Sequence, residues 1–167
     1  MPLWLVGMMG SGKSTVGWLV AERLGLDFVD TDDLVETSSG EATGDLLTTD
    51  PVAFRRTEAE AVVGIAASEA VVATGGGVVL DDGSVARMRS SGLVVWLDVP
   101  VEELARRVGS GEGRPLLGSD PITAMERLLE ERQGRYQEAA HVTVEASGPA
   151  STVADLVVAY WEASHVD

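Results

Sequence analysis

Gly7, Gly12, Lys13 and Ser14 stand at the spacing G-x-x-x-x-G-K-[ST] within the stretch Gly7-Met8-Met9-Gly10-Ser11-Gly12-Lys13-Ser14-Thr15. In that arrangement backbone N–H groups wrap phosphate oxygens, the lysine reaches the β- and γ-phosphates, and the hydroxyl ligates Mg²⁺. The stretch follows the apolar run Leu3–Val6 and opens a helical pattern beginning with Val16. A helix N-terminus therefore adds its partial positive charge to the loop. Lys13 is the only lysine in the chain, at the position where a compact point charge suits a phosphate. Taken alone, the loop implies a nucleoside triphosphate with Mg²⁺.

Other residues with chemical potential follow. Asp30-Thr31-Asp32-Asp33 comes directly after the short apolar run Phe28-Val29. Carboxylates at the C-terminal end of a strand are where doubly wound sheets place ligand contacts, and Mg²⁺ bound through waters would offset their charge. Arg55 and Glu58 are three apart in a helical pattern and share a face, either as a surface ion pair or as part of a site. Gly75-Gly76-Gly77 follows the apolar run Ala70–Ala73, and glycines there permit close backbone approach to a ligand. The segment from Gly109 to Pro121 holds four glycines and two prolines around one arginine, Arg114, and reads as a hinged lid carrying a cation. Arg132 and Arg135 come late in a helical pattern, where the helix dipole alone favours arginine. Neither histidine has a second ligand at metal spacing.

These residues need a scaffold, and the hydrophobic pattern supplies one. Short apolar strands are expected at Leu3–Val6, Phe28-Val29, Ala70–Ala73, 93–97 and 141–144. Helical patterns alternate with them: from Val16 to Leu24, in pieces over 34–49 broken at 38–40 and at Gly44, then from Pro51, and over 82–91, 100–108, 122–137 and 153–161. The expected fold is α/β: a three-layer α/β/α arrangement with a central five-stranded parallel sheet, right-handed crossovers and the P-loop NTPase topology with a mobile lid. A single domain spanning 1–167 is expected, with the lid at about 109–121 and a substrate-binding region at about 31–62.

Charge and composition narrow the partners. Twelve Lys and Arg against 27 Asp and Glu leave a net charge of −15, unsuited to nucleic acid or an anionic membrane. No apolar run approaches a membrane span, and the N-terminus has no basic-then-apolar leader. The absence of cysteine excludes disulfides and thiolate chemistry, and favours the cytoplasm. An acidic protein that binds an anionic nucleotide must gather its few cations at the site, and the arginines do cluster: Arg55-Arg56, Arg106-Arg107 with Arg114, and Arg132 with Arg135.

The loop followed by Val16-Gly17, then Asp30-Thr31-Asp32, Phe54-Arg55 with Glu58, Gly75-Gly76-Gly77, Arg114-Pro115-Leu116-Leu117, and Arg132 with Tyr136, resembles the ordered motif set of shikimate kinases, from about Leu3 to Trp161. The resemblance implies transfer of the γ-phosphoryl of ATP to the 3-hydroxyl of shikimate, a step of the chorismate route to aromatic amino acids. By positional match Gly10, Ser11, Gly12, Lys13, Ser14 and Thr15 would hold the nucleotide phosphates, with Ser14 on Mg²⁺ directly and Asp30 through water. Arg55 and Arg132 would clamp the carboxylate, with Glu58 orienting Arg55. Asp32 would accept hydrogen bonds from ring hydroxyls and help take the proton, beside backbone N–H groups of Gly75, Gly76 and Gly77. Lys13, Asp32 and Arg114 would be the catalytic set. ATP and shikimate would be the small-molecule partners of a monomer, with neither nucleic acid nor membrane involved.

Two departures stand out. The turn Glu145-Ala146-Ser147-Gly148-Pro149 carries no basic residue where the family often has one against the adenine, so base packing would fall to Arg107 and to backbone near Pro149. The segment Asp50-Pro51-Val52-Ala53 replaces a usual Gly-Glu. Gluconate kinases and nucleoside monophosphate kinases share the loop and lid; Asp32, Arg55 and Gly75–Gly77 together favour a compact cyclic acid. A non-catalytic nucleotide-binding module would require the loss of some catalytic position, and none is lost.

Overall fold

The structure, a computed structural model, describes residues 1–109 and 115–165. Five strands form one sheet in the order β2-β3-β1-β4-β5, every neighbouring pair parallel. They are β1 (Leu3–Val6), β2 (Asp27–Asp30), β3 (Ala70–Ala73), β4 (Leu93–Asp98) and β5 (Val142–Glu145). The residues of β1 and β3 are all buried, as expected of parallel strands covered on both faces. Helix α1 (Lys13–Leu24) packs with α8 (Ala150–Ala163). A second helical group joins α4 (Pro51–Ile65), α5 (Asp82–Ser91), α6 (Val101–Val108) and α7 (Pro121–Ala139). The central strand β1 has β3 on one side and β4 on the other. Its C-terminal end is therefore the point where strand order reverses, the usual ligand position in such sheets.

The phosphate loop leaves that end, and the N-terminal helix begins at Lys13, one turn before the apolar pattern suggested. Beyond β2 the chain turns at once into α2 (Thr31–Ser39), with Asp30 accepting the Asp32 N–H as its cap. Of the expected strand-end carboxylates only Asp30 is on the strand; Asp32 and Asp33 lie in the first helical turn. A second correction concerns Gly44, which was expected to break the helix and instead lies in the first turn of α3 (Thr43–Thr49). Glycine keeps its N–H and adopts helical angles freely; its cost is backbone entropy, about 1 kcal/mol relative to Ala, which weakens a helix without breaking it. Asp50 caps α4 through the Ala53 N–H (2.9 Å) and Pro51 occupies its first position, a start that suits both residue types. Within the segment expected to be a lid, Pro115–Leu117 forms one 3₁₀ turn; Arg114 lies outside the described residues.

Two hydrophobic clusters hold the molecule. The main one surrounds the sheet, and a small one joins Val35, Leu46 and Phe54 of α2, α3 and α4. Helix α4 belongs to both, since Val62 and Ile65 at its other end lie in the main core.

At the far edge, the Val94 N–H donates to His141 Nδ1 (3.0 Å). Nearby, Arg89 ties the end of α7 through the carbonyls of Glu138, Ala139 and Ala140 (3.0–3.1 Å). Burial first, and then the Arg89 charge, hold the His141 pKa below its ordinary 6.5. The unfolded chain thus binds this proton more tightly than the folded one. The stabilisation is complete above the unfolded value and is lost as pH falls below it. Thermal scans between about pH 7.5 and 5.5 should show a decline in melting temperature that His141→Asn reduces; equal declines in both proteins would remove His141 as its cause.

Candidate active site

At the phosphate end, Gly7 (φ 150°) and Gly12 (φ 90°) hold backbone angles that side chains disfavour. A Cβ on Gly7 would also lie 2.8 Å from the Leu97 carbonyl oxygen. Lys13 Nζ donates to the carbonyls of Gly7 (2.8 Å) and Met8 (2.9 Å), so the ammonium is fixed over its own loop. Ser14 Oγ donates to Asp30 Oδ2 at 2.7 Å. Gly10, Gly12, Lys13, Ser14, Thr15 and Asp30 line a cavity of about 280 Å³. Ser11 does not line it: the residue is buried, with its N–H on the Met8 carbonyl (3.1 Å). The Ser14 hydroxyl and Asp30 carboxylate are adjacent hard oxygens, which fits Mg²⁺ holding few protein ligands and several waters.

Arg107 and Pro149 sit toward the turn after β5. Arg107 Nε donates to Glu103 (2.7 Å), Nη1 to the Gly10 carbonyl (3.3 Å) and Nη2 to the carbonyls of Ala146 and Ser147 (3.0 Å each). It therefore fastens the phosphate loop to that turn with its guanidinium plane fixed. Glu145 serves the turn itself, accepting from the Ser147 N–H (2.9 Å) and hydroxyl. Arg135 belongs elsewhere, pairing with Asp82 and Glu138 and donating to the Val79 carbonyl.

A second cavity, of about 400 Å³, is lined by Asp32, Phe54, Arg55, Glu58, Leu116 and Arg132 among others. Met9, Asp32 and Gly76 line both cavities, so the two meet there. Arg55 Nη1 pairs with Glu58 Oε2 at 2.6 Å, and its guanidinium carbon lies 5.0 Å from the Phe54 ring centroid. Glu58 is 2 % exposed and Arg132 4 %. Glu58 Oε1 and Arg132 Nε are buried without a hydrogen-bond partner. Buried charged groups left short of partners are costly, and a small anion seated against Arg132 would relieve that cost. Burial pushes the Glu58 pKa up, against the Arg55 and Arg132 charges. Burial, with the Asp30 charge second, also raises Asp32, and Lys13 opposes the rise.

Gly75 and Gly77 make this convergence possible. A Cβ on Gly75 would run into Glu58 Oε1 and lie 3.1 Å from Asp32 Oδ1; one on Gly76 would lie 3.5 Å from Arg132 Nη1; one on Gly77 would fall on the Arg55 guanidinium. None of the three has positive φ, so Gly75 and Gly77 are needed for space and not for backbone conformation, while at Gly76 a Cβ would make only ordinary contacts. The structure thus brings Asp32, Arg55, Glu58, Gly75, Gly76, Gly77 and Arg132 together beside the phosphate cavity. Sequence reading missed Thr31, whose Oγ1 accepts the Gly75 N–H (3.0 Å), and the wall formed by Phe54 and Leu116. Phe54 beside Arg55 and the apolar pair after Pro115 were the available signals.

A family model described as shikimate kinase matches residues 9–161. The chain belongs to the shikimate kinase family. A curated shikimate kinase of Synechococcus elongatus is 43 % identical over 149 residues, covering 87 % of this chain and 78 % of that one. A solved shikimate kinase from Acinetobacter baumannii, in complex with shikimate, is 32 % identical, covers 99 % of this chain and 95 % of its own, and superposes with a TM-score of 0.93. The fold alone extends further. A gluconokinase from Sinorhizobium meliloti is 22 % identical and reaches a TM-score of 0.62, covering 98 % and 92 % of the two chains. In this chain the second cavity joins two arginines and two carboxylates beside three glycines.

Proposed function

We propose that the protein transfers the γ-phosphoryl of ATP to the 3-hydroxyl of shikimate. The observation that carries this reading is the junction of the two cavities at Asp32, with the buried, under-partnered Arg132 on the acceptor side. Arg55 and Arg132 take the carboxylate, and planar guanidinium groups suit it better than an ammonium would. Asp32 accepts the hydrogen of the attacking hydroxyl at the boundary between the two cavities. The acceptor oxygen bonds to the γ-phosphorus, the bond from that phosphorus to the β–γ bridging oxygen breaks, ADP leaves, and the proton passes to Asp32.

Such transfers depend mainly on positioning and charge stabilisation. Lys13, fixed over the loop, supplies a stationary charge to the phosphates. Mg²⁺, bound through Ser14 and through water to Asp30, would neutralise β- and γ-phosphate charge. Arg114 is assigned a second cation on the transferred phosphoryl, beside Lys13, by its motif position. Replacing Arg114 by Ala should cut kcat by about a hundredfold while changing ATP affinity much less; stopped-flow binding beside steady-state rates would show it, and unchanged kcat would remove the role.

Both cavities are formed within one unit, which supports a single-domain monomer, and use of ATP supports a cytoplasmic setting. Among the described residues no helix is long and apolar enough to cross a membrane. An ADP-release assay with shikimate, gluconate and nucleoside monophosphates as acceptors tests the assignment. Turnover is expected with shikimate; turnover with gluconate and not shikimate would overturn it.

A further inference from the structure

Tyr136 is fully buried on α7, one helical turn beyond Arg132 and therefore on the same face. Its ring stacks on Trp96, with centroids 5.8 Å apart and planes at 20°. Its hydroxyl donates to the carbonyl of Gly76, one of the residues shared by the two cavities. That carbonyl belongs to the peptide joining Gly76 to Gly77. A Gly-Gly peptide has little steric resistance to rotation, so its orientation needs an outside tether.

The Tyr136 hydroxyl is such a tether. All peptides in the described chain are trans, and a trans peptide points its C=O and its N–H in opposite directions. A carbonyl held by a core tyrosine therefore turns the Gly77 N–H away from the core, and Gly77 lines the acceptor cavity. Among the described residues no acceptor takes the N–H of Gly76 or of Gly77. Burial pushes the Tyr136 pKa up to about 12, so the phenol keeps its proton throughout the working range.

Resting on the shikimate assignment, we propose that Tyr136 is a positioning residue: its hydroxyl sets the Gly76–Gly77 peptide so that the Gly77 N–H donates to the bound acid. Tyr136 touches neither substrate. It acts through the peptide, and beside Arg132 it braces the carboxylate clamp from the same helix.

Tyr136→Phe removes one oxygen and keeps the ring stack. Steady-state kinetics of the full chain should show KM for shikimate raised about tenfold, the equivalent of one lost hydrogen bond at the upper end of its usual worth, with KM for ATP and kcat within about twofold of wild type. A purely structural tyrosine would lower the melting temperature and leave KM for shikimate unchanged, and that result would overturn the proposal. Amide exchange in the wild-type protein gives a second reading independent of the variant: the Gly77 N–H should become protected when shikimate is added, and a Gly77 amide that stays unprotected would also overturn it. Wild-type protein that fails to phosphorylate shikimate would refute the acceptor assignment and this inference together. Wild-type turnover with Tyr136→Phe unaltered would refute the inference alone.

Discussion

Asp32→Asn protein is expected to bind shikimate and ATP yet transfer phosphoryl at about a hundredth of the wild-type rate or less, the usual scale for loss of a positioned general base. Asp32 is the one carboxylate common to both cavities, and the amide that replaces it can accept a hydrogen bond but not a proton. The same substitution should leave the fold as stable as wild type or more so. Burial and the Asp30 charge hold the Asp32 pKa above its ordinary 3.8, so the folded state binds this proton more tightly than the unfolded chain. The ionised carboxylate therefore opposes folding at neutral pH, and the opposition fades as pH falls through the raised value. In the wild type, kcat should fall with acidification through that same range. Single-turnover rates and thermal scans measured together test both halves; wild-type turnover by Asp32→Asn would remove Asp32 from the chemistry.

Gly77→Ala should separate folding from function in the other direction. Its Cβ would occupy the place of the Arg55 guanidinium, the far end of a flexible and partly exposed side chain. The arginine can swing aside at small cost to the fold, but then it leaves both Glu58 and the acceptor cavity. Losing one charge-assisted contact to the substrate corresponds to about a ten- to hundredfold fall in kcat/KM for shikimate, with ATP binding unaffected. Gly75→Ala should be harsher, because the atom its Cβ meets belongs to the buried Glu58. Kinetics and melting temperatures of the two variants side by side test this ordering. Equal kcat/KM for Gly77→Ala and wild type would show that Arg55 does not contact the acid.

The phosphate loop and the sheet were legible because both are local. Four residues at fixed spacing define the loop, and uninterrupted apolar runs define the strands. Gly44 misled because a glycine reads as a break anywhere in a helical pattern, while its entropic cost weakens a helix without breaking it. The glycine triplet was only half legible. Local sequence indicates close approach, but not that Gly75 and Gly77 make way for Glu58 and Arg55 respectively. Those partners come from other elements, and only the assembled sheet brings them together. Tyr136 stood out as a motif position beside Arg132, but its partner did not, since the carbonyl it bonds is sixty residues away.

The small cluster of Val35, Leu46 and Phe54 shares no buried member with the main core, and α4 alone has buried residues in both. The cluster that joins α2 and α3 to α4 rests on few apolar side chains, and small satellite clusters of that kind open at lower free energy than a main core, while Thr31 at the start of α2 stays tied to the sheet through the Gly75 N–H. Arg55 and Glu58 lie between the two clusters on α4. Asp32 lies on α2 and Arg55 on α4, and Val35, Leu46 and Phe54 hold those helices together, so a substitution at Val35 or Leu46, with no contact to any reacting atom, is expected to weaken acceptor affinity through the spacing of these two side chains.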